Sequence, residues 1–245
     1  MVFEKKEVAH LIIASIVLGF VLGFDDKQAA FDPQHWITNL ILVTAASFLV
    51  ILVYSIVQKC AAAYLGAEAK FRIWLLHQLW FKRTWKSEQG LPLGVILPLL
   101  ITVVSFGRIP FAAVASSEVQ TVERLRFGKK FREITDFERA AIIAAGPLTM
   151  LVIAVLMPLF DPSAFALLVR RTALTLAIAQ MLPLPNTEGI KIFTSSSALY
   201  IFLMALLIAA AFLVSQLNSA LAIILSIAIA CILLFCYWFF IIFRK

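Results

Sequence analysis

The chain has 245 residues, 62% of them hydrophobic, and a net charge of +7. A soluble globular domain is only about half apolar, so this composition excludes an ordinary soluble domain and indicates an integral membrane protein. Basic residues collect in the cytoplasmic loops of membrane proteins, which accounts for the positive charge. Because no basic stripe is interleaved with stacking aromatics, the sequence does not predict nucleic-acid binding.

Seven apolar segments follow one another along the chain, most of them close to the roughly 20 residues that cross a bilayer as a helix. They are 8–24, 37–58, 91–115, 139–160, 165–183, 197–215 and 219–243. We therefore predict an all-α polytopic membrane protein, a single transmembrane domain over residues 1–245. The polar stretches 59–90 and 116–138 are interpreted as surface loops or small amphipathic pieces.

The third segment, 91–115, differs from the others because proline and glycine interrupt it. Its helix-breaking residues are Pro92, Gly94, Pro98, Gly107 and Pro110. Broken backbone at membrane depth survives only when protein or cavity water shields it. We expect about six transmembrane helices plus this broken or re-entrant segment, with seven full spans as the alternative.

Charge predicts the orientation. With a cytoplasmic N-terminus and a re-entrant third segment, all but three of the 21 Lys and Arg residues lie inside; the three are Lys27, Arg170 and Arg171. The sequence therefore predicts a multi-pass protein of the cell membrane with its N-terminus in the cytoplasm. Membrane lipids are then expected contacts. Trp74, Trp80, Trp85 and Trp238 are interpreted as anchors at the membrane interface.

The usual catalytic side chains show no convergent spacing. The three histidines are His10, His35 and His77, and the three cysteines lack CxxC spacing. Ser55 has Lys59 at i+4 as its one conceivable base, but Ser55 is better interpreted as a small helix-packing residue.

Four separated blocks carry a family resemblance. They are QKCAAAYLGAEAKFRIW at 58–74, SFGRIPF at 105–111, AGPLT at 145–149 and MLPLPNTEG at 181–189. In order and spacing these blocks resemble the site-2 proteases, intramembrane zinc metalloproteases, of the archaeal type. The resemblance implies a helical membrane fold with a lateral groove for a substrate helix.

The chain departs from that family where the chemistry would lie. Tyr54 and Gln58 stand at the positions of the two histidines of His-Glu-x-x-His, and Ser55 stands at the general-base Glu. Glu188 stands at the third ligand, an Asp in the family. Gln180 replaces the family's Asn before Leu-Pro, and Met150 replaces another Asn.

A catalytic zinc requires three protein ligands and a water, with a carboxylate nearby to take the water's proton. A neutral phenol and an amide are poor zinc ligands, and one carboxylate will not hold the ion. We therefore expect no metal, no cofactor and no catalytic residues. Glu188 is interpreted as a turn residue near the surface, or as bonded to Tyr54 or Gln58, or as paired with Arg108. The candidate polar cluster or groove contains Tyr54, Gln58, Arg108, Gln180, Asn186 and Glu188.

The resemblance and these departures thus predict a pseudoprotease that binds or scaffolds other membrane proteins through the groove and the main chain of segment 91–115. An accessory subunit of a membrane complex is one form of this role. Two alternatives remain open: an active zinc metalloprotease with atypical ligands, and a transporter-like protein, since broken helices and a membrane acid also occur in transporters.

Overall fold

A computed structural model of the chain describes residues 3–25, 32–78, 86–121, 134–160, 163–216 and 219–243. Within these residues the chain forms eight α-helices and four short β-strands. Helices dominate because a helix satisfies its own backbone hydrogen bonds, as an apolar chain in lipid must. The strands are a departure from the all-α prediction.

The first two helices pack side by side in opposite directions. They are α1 (Lys5–Gly23) and α2 (Pro33–Tyr64). A capping box between Glu4 and Glu7 begins α1, and the side chain of Asp32 caps the first turn of α2. We call the end of this hairpin where α1 begins and α2 ends the proximal end, and the opposite end the distal end.

The polar stretch after α2 and the third apolar segment fold together. They form β1 (Ala67–Ile73), β2 (Leu76–Gln78), β3 (Lys86–Leu91), α3 (Leu93–Val104) and β4 (Ala115–Thr121). β1 pairs with β4 in antiparallel register from Ala67–Thr121 to Ile73–Ala115, and β2 pairs with β3. Buried and more exposed residues alternate along β1, a period of two that fits a strand and not the predicted loop.

The third apolar segment leaves and returns at one place. The backbone of Trp74 accepts a hydrogen bond from Gly94 N (3.0 Å) at the start of α3 and donates one to Val114 O (3.0 Å). Between these points α3 runs toward the distal end, where Gly107 lies against Phe24 and Asp25. Residues 108–114, which we call the returning arm, then lead back to β4. The segment thus begins and ends beside the backbone of Trp74.

The shielding that broken backbone needs is present in the returning arm. Ala112, Ala113 and Val114 are fully buried against the helices. Small side chains allow the extended chain to lie close to its neighbours, and burial by protein keeps its unpaired groups away from lipid.

The remaining helices complete the bundle. They are α4 (Asp136–Phe160), α5 (Ala164–Gln180), α6 (Glu188–Ser195), α7 (Ser197–Gln216) and α8 (Ser219–Phe243). One main core joins α1, α2, β1, the returning arm, α4, α5 and α7. α8 packs chiefly on α7.

Five helices in the described residues are long and apolar enough to cross a membrane: α1, α2, α4, α7 and α8. Composition and structure therefore agree on a mainly helical, multi-pass membrane protein. α5 has 17 residues and α3 has 12. The count of six transmembrane helices and the orientation stay predictions.

Two side chains lie elsewhere than predicted. Trp74 is 2% exposed and its indole N–H donates to Pro185 O (2.8 Å), so it is a core residue and not an interface anchor. The charge argument places Arg108 on the same side of the membrane as Lys59 and Lys70. In the structure it follows Gly107 at the distal end, opposite to those two residues, because α3 carries the chain there. Trp238 is exposed on α8, whereas Trp80, Trp85 and Lys27 lie outside the described residues.

Candidate functional site

α2 presents three altered residues toward the centre of the bundle. Tyr54, Ser55 and Gln58 are 1–2% exposed. Tyr54 and Gln58 are four residues apart, so they lie on the same face of the helix, about one turn from each other. α4 packs tightly on this face at Gly146, where a Cβ atom would lie 2.6 Å from the Tyr54 ring and 2.7 Å from Gln58 Nε2. Glycine at 146 is therefore required by the close approach.

The turn between α5 and α6 brings Glu188 to the same point. The hydroxyl of Thr187 lies 2.7 Å from the carbonyl oxygens of both Leu182 and Leu184, which closes the turn. Gly189 fits against the turn because a Cβ there would lie 2.2 Å from Met181 O. Glu188 begins α6 and is fully buried.

Tyr54, Gln58 and Glu188 form one hydrogen-bonded cluster with Ser117 of β4. The Tyr54 hydroxyl donates to Glu188 Oε2. Gln58 Nε2 donates to Glu188 Oε1 (3.2 Å) and to Ile143 O (3.1 Å). Ser117 Oγ lies 2.5 Å from both Gln58 Oε1 and Glu188 Oε1. We call these four side chains the closed cluster, since each one's polar atoms are turned onto the others.

Lys191, one turn after Glu188 on α6, adds a positive charge beside the closed cluster. Its ammonium donates to Ser116 Oγ (2.6 Å) and to Ser117 O (2.8 Å). Burial raises the pKa of the Glu188 carboxyl, against the lowering effect of its hydrogen bonds, and burial lowers the pKa of the Lys191 ammonium. Both shifts arise because a charged group loses solvation inside the protein.

Gln180 and Asn186, also predicted for the cluster, bind backbone instead. The Gln180 amide, in the orientation that satisfies both its groups, donates to Ala115 O (2.8 Å) and accepts from Ala115 N (3.1 Å). Asn186 Nδ2 donates to Leu75 O (3.1 Å), and Asn186 O accepts from Ser116 Oγ (2.7 Å). Gln180 thus occupies main-chain groups of β4 that we expected to be open to an extended partner.

Arg108 does not join these residues. It is exposed at the distal end, whereas Glu188 is fully buried and its hydrogen-bond partners are the other three members of the closed cluster. The alternative pairing of Glu188 with Arg108 is therefore absent from the structure.

Ser55 and Lys59 do not form a nucleophile and base. The Ser55 hydroxyl is buried and has no hydrogen-bond partner among the residues that the structure describes. Lys59 Nζ instead binds Glu7 Oε2 (2.8 Å), and Glu7 Oε1 accepts from Phe71 N (3.1 Å). This buried ion pair, 8% and 4% exposed, joins α1, α2 and β1 at the proximal end.

The histidines are dispersed as far as the structure describes them. His10 lies on α1, close to the proximal end, and His35 lies in the first turn of α2, at the distal end. The side chain of His77 lies outside the described residues.

A zinc ion does not fit the residues at the closed cluster. Its donors are a phenol, an amide, a hydroxyl and one carboxylate, and each already has a protein partner. In the described part of the chain, no three His, Cys, Asp or Glu side chains lie close enough together to hold a metal ion. Structural and catalytic zinc sites take at least three such ligands.

Sequence reasoning missed Ser117, Lys191 and the pair of Glu7 with Lys59. Lys191 had a signal, because it stands three residues after Glu188 on one helical face. Ser117 and Glu7 had none, since only the pairing of β1 with β4 and the packing of α1 bring them to their partners.

Searches of protein-family models, of curated proteins and of solved structures returned no match to this chain.

Proposed function

We propose that this chain is a non-catalytic membrane protein of site-2-protease-like design, which acts by binding other integral membrane proteins. The observation that carries the proposal is the closed cluster: Tyr54, Gln58 and Glu188 satisfy one another at the positions where the resemblance would place the zinc ligands. Buried polar atoms without partners are costly, so residues that replace metal ligands must find new partners.

The cluster also lacks what hydrolysis requires. Position 55 carries a serine where zinc hydrolysis would need a carboxylate base. Among the described residues, the Ser55 hydroxyl has no base within hydrogen-bonding distance. Glu188 is engaged by three donors, so it is not poised to take a proton from water. A side-chain network of this kind stabilises the bundle and leaves binding as the activity.

α8 is the surface we assign to partner binding. In the central part of α8 only 17% of residues are buried, compared with 56% for α1 and 50% for α4. Its exposed residues include Leu225, Ile232 and Trp238. A helix that packs chiefly on one neighbour has most of its surface available for packing against another transmembrane helix.

Site-specific photo-crosslinking in native membranes tests the proposal. A crosslinker at Ile232 on α8 is expected to give a discrete protein adduct, while one at Ile16, an exposed residue of α1, gives only lipid adducts. Peptide cleavage by the purified chain, or the same lipid-only pattern at both positions, would contradict it. An ion or solute flux in liposomes that Glu188→Gln abolishes would replace it with the transporter alternative.

A further inference from the structure

An apolar groove of about 380 Å³ lies on the side of the bundle, between the returning arm, α5 and α7. Its walls include Phe111, Leu174, Ile178, Leu182 and Ala211. All five are partly buried, and Phe111, Leu174 and Ile178 pack against the main core. The groove is open on one side, so a ligand can enter it from the membrane.

One cation stands at the distal end of this groove. Arg171 is exposed, lines the groove, and makes no hydrogen bond or ion pair through its guanidinium with any residue the structure describes. Its neighbour Arg170 is used structurally, because it donates to Val214 O on α7 (2.7 Å). The hydroxyl of Thr175, the other polar residue in the groove, donates to Arg171 O (2.8 Å). The guanidinium of Arg171 is therefore the free polar group of the groove.

The length of the groove distinguishes a lipid from a helix. From Arg171 to its end at Gln180, α5 rises by roughly 14 Å, at about 1.5 Å per residue, and Leu182 extends the groove just beyond the helix. That is about half of the roughly 30 Å hydrocarbon core, the depth of one leaflet. A helix about 10 Å wide would fill on the order of 1,000 Å³ over this length, more than the total empty space of the groove, which is about 780 Å³ with its open side included. An acyl chain of one leaflet matches the length, whereas a transmembrane helix does not.

We propose that the groove binds an anionic phospholipid, with one acyl chain along α5 and the phosphate on Arg171. A guanidinium presents paired N–H donors that match two phosphate oxygens, and a net negative head group is attracted where a zwitterionic one is not. Arg171 also lines a smaller cavity together with Asp25 and Asn39, whereas the lining of the groove includes no carboxylate, so we place the phosphate on the groove side. This site is independent of the function proposed above.

Native mass spectrometry of the full chain tests the site. The protein is transferred to nanodiscs of phosphatidylcholine and phosphatidylglycerol and released with its bound lipid. Wild-type protein is expected to retain phosphatidylglycerol in preference to phosphatidylcholine. Arg171→Gln should reduce that preference about tenfold, as the loss of a charge-assisted phosphate contact predicts.

Two further variants complete the design. Arg139→Gln removes the same charge from an exposed position at the start of α4, at the proximal end, and is expected to keep the preference. Ile178→Trp fills the groove and should lower retention of both lipids. Equal effects of Arg171→Gln and Arg139→Gln would overturn the proposal. So would undiminished retention in Ile178→Trp, or no retained phosphatidylglycerol in the wild-type protein.

Discussion

The phenol of Tyr54 donates a hydrogen bond to the carboxyl of Glu188, which is 134 residues away along the chain. This contact joins the longest helix to the turn before α6 in the centre of the bundle. Neither residue is exposed by more than 1%. The phenol and the carboxyl have both lost their contact with solvent, and each is the other's hydrogen-bond partner instead. The stability of the bundle therefore depends on this hydrogen bond.

Removing the carboxyl of Glu188 should destabilise the fold. Glu188→Ala leaves the donors of Tyr54, Gln58 and Ser117 without a shared acceptor, and one unsatisfied buried group costs about 1–3 kcal/mol. Glu188→Gln should cost less, about 1–3 kcal/mol in all, because its amide keeps one oxygen acceptor. Thermal unfolding in detergent measures both. Glu68→Gln on exposed β1 surface is the control, and an equally small effect of Glu188→Ala would contradict the closed cluster.

The close contact of α4 with α2 predicts that Gly146→Ala destabilises the protein. The added methyl group would lie 2.6 Å from the Tyr54 ring, so α4 or the ring must shift. Overpacking of this kind typically costs about 1–3 kcal/mol. Tyr54→Leu in the same chain should recover part of the loss, since it removes the ring atoms that clash. If the stability losses of Gly146→Ala and Tyr54→Leu simply add in the double variant, the predicted contact is wrong.

The buried pair of Glu7 and Lys59 should behave as a coupled unit. Glu7→Ala leaves the Lys59 ammonium buried without its partner, which costs about 3–5 kcal/mol. The double variant Glu7→Ala, Lys59→Met should be more stable than Glu7→Ala alone, because no uncompensated charge remains. Chemical unfolding of the two single variants and the double variant gives the coupling energy. A coupling near zero would show that the pair is not formed.

Gln180 should protect the backbone of β4. Its amide holds both the N–H and the C=O of Ala115, so Gln180→Ala is expected to speed amide hydrogen exchange at Ala115. Leu176→Ala, on the same buried face of α5, is a control for general loosening of the helix. Acceleration at Ala115 in Gln180→Ala beyond that seen in the control supports the contact, and unchanged exchange rates in Gln180→Ala oppose it.

The exposed ion pair of Glu4 with Lys70 predicts a small pH dependence. The hydrogen bond and charge of Lys70 hold the pKa of the Glu4 carboxyl below its ordinary value of 4.5. The folded state therefore binds the proton less readily than the unfolded state, so the contribution is present above that ordinary value and is lost as the pH falls through the lower folded value. The unfolding temperatures of wild type and Glu4→Gln should converge in acid and in high salt. A difference that persists under those conditions would contradict the pairing.

Long apolar runs made the main features of the fold predictable. The segment predicted at 219–243 is helical throughout as α8, because length and hydropathy suffice to define it. Prolines and glycines also predicted the break in segment 91–115, since Pro92 and Gly107 flank α3. The strands were not predictable in the same way. β1 and β4 are 42 residues apart at their closest aligned pair, and both lie in polar stretches that were interpreted as loops or small amphipathic pieces.

The residues of the closed cluster that were predicted came from the family resemblance. It singled out Tyr54, Gln58 and Glu188, and their i, i+4 spacing then placed Tyr54 and Gln58 on one face of α2. Arg108 was proposed as a partner of Glu188 because it is a charge in an apolar segment, yet the direction of α3 takes it to the distal end. The role of Ser117 depends on the register of β4 against β1, which no local pattern encodes.

The metal content of the protein tests the central claim most directly. The chain is purified without chelators, and zinc is measured per chain beside a variant in which Tyr54→His, Ser55→Glu, Gln58→His and Glu188→Asp restore the ligand set of His-Glu-x-x-His and Asp. The closed cluster predicts essentially no zinc in the wild-type chain, and zinc approaching about one per chain in the restored variant. About one tightly held zinc per wild-type chain, lost on Glu188→Gln, would contradict it.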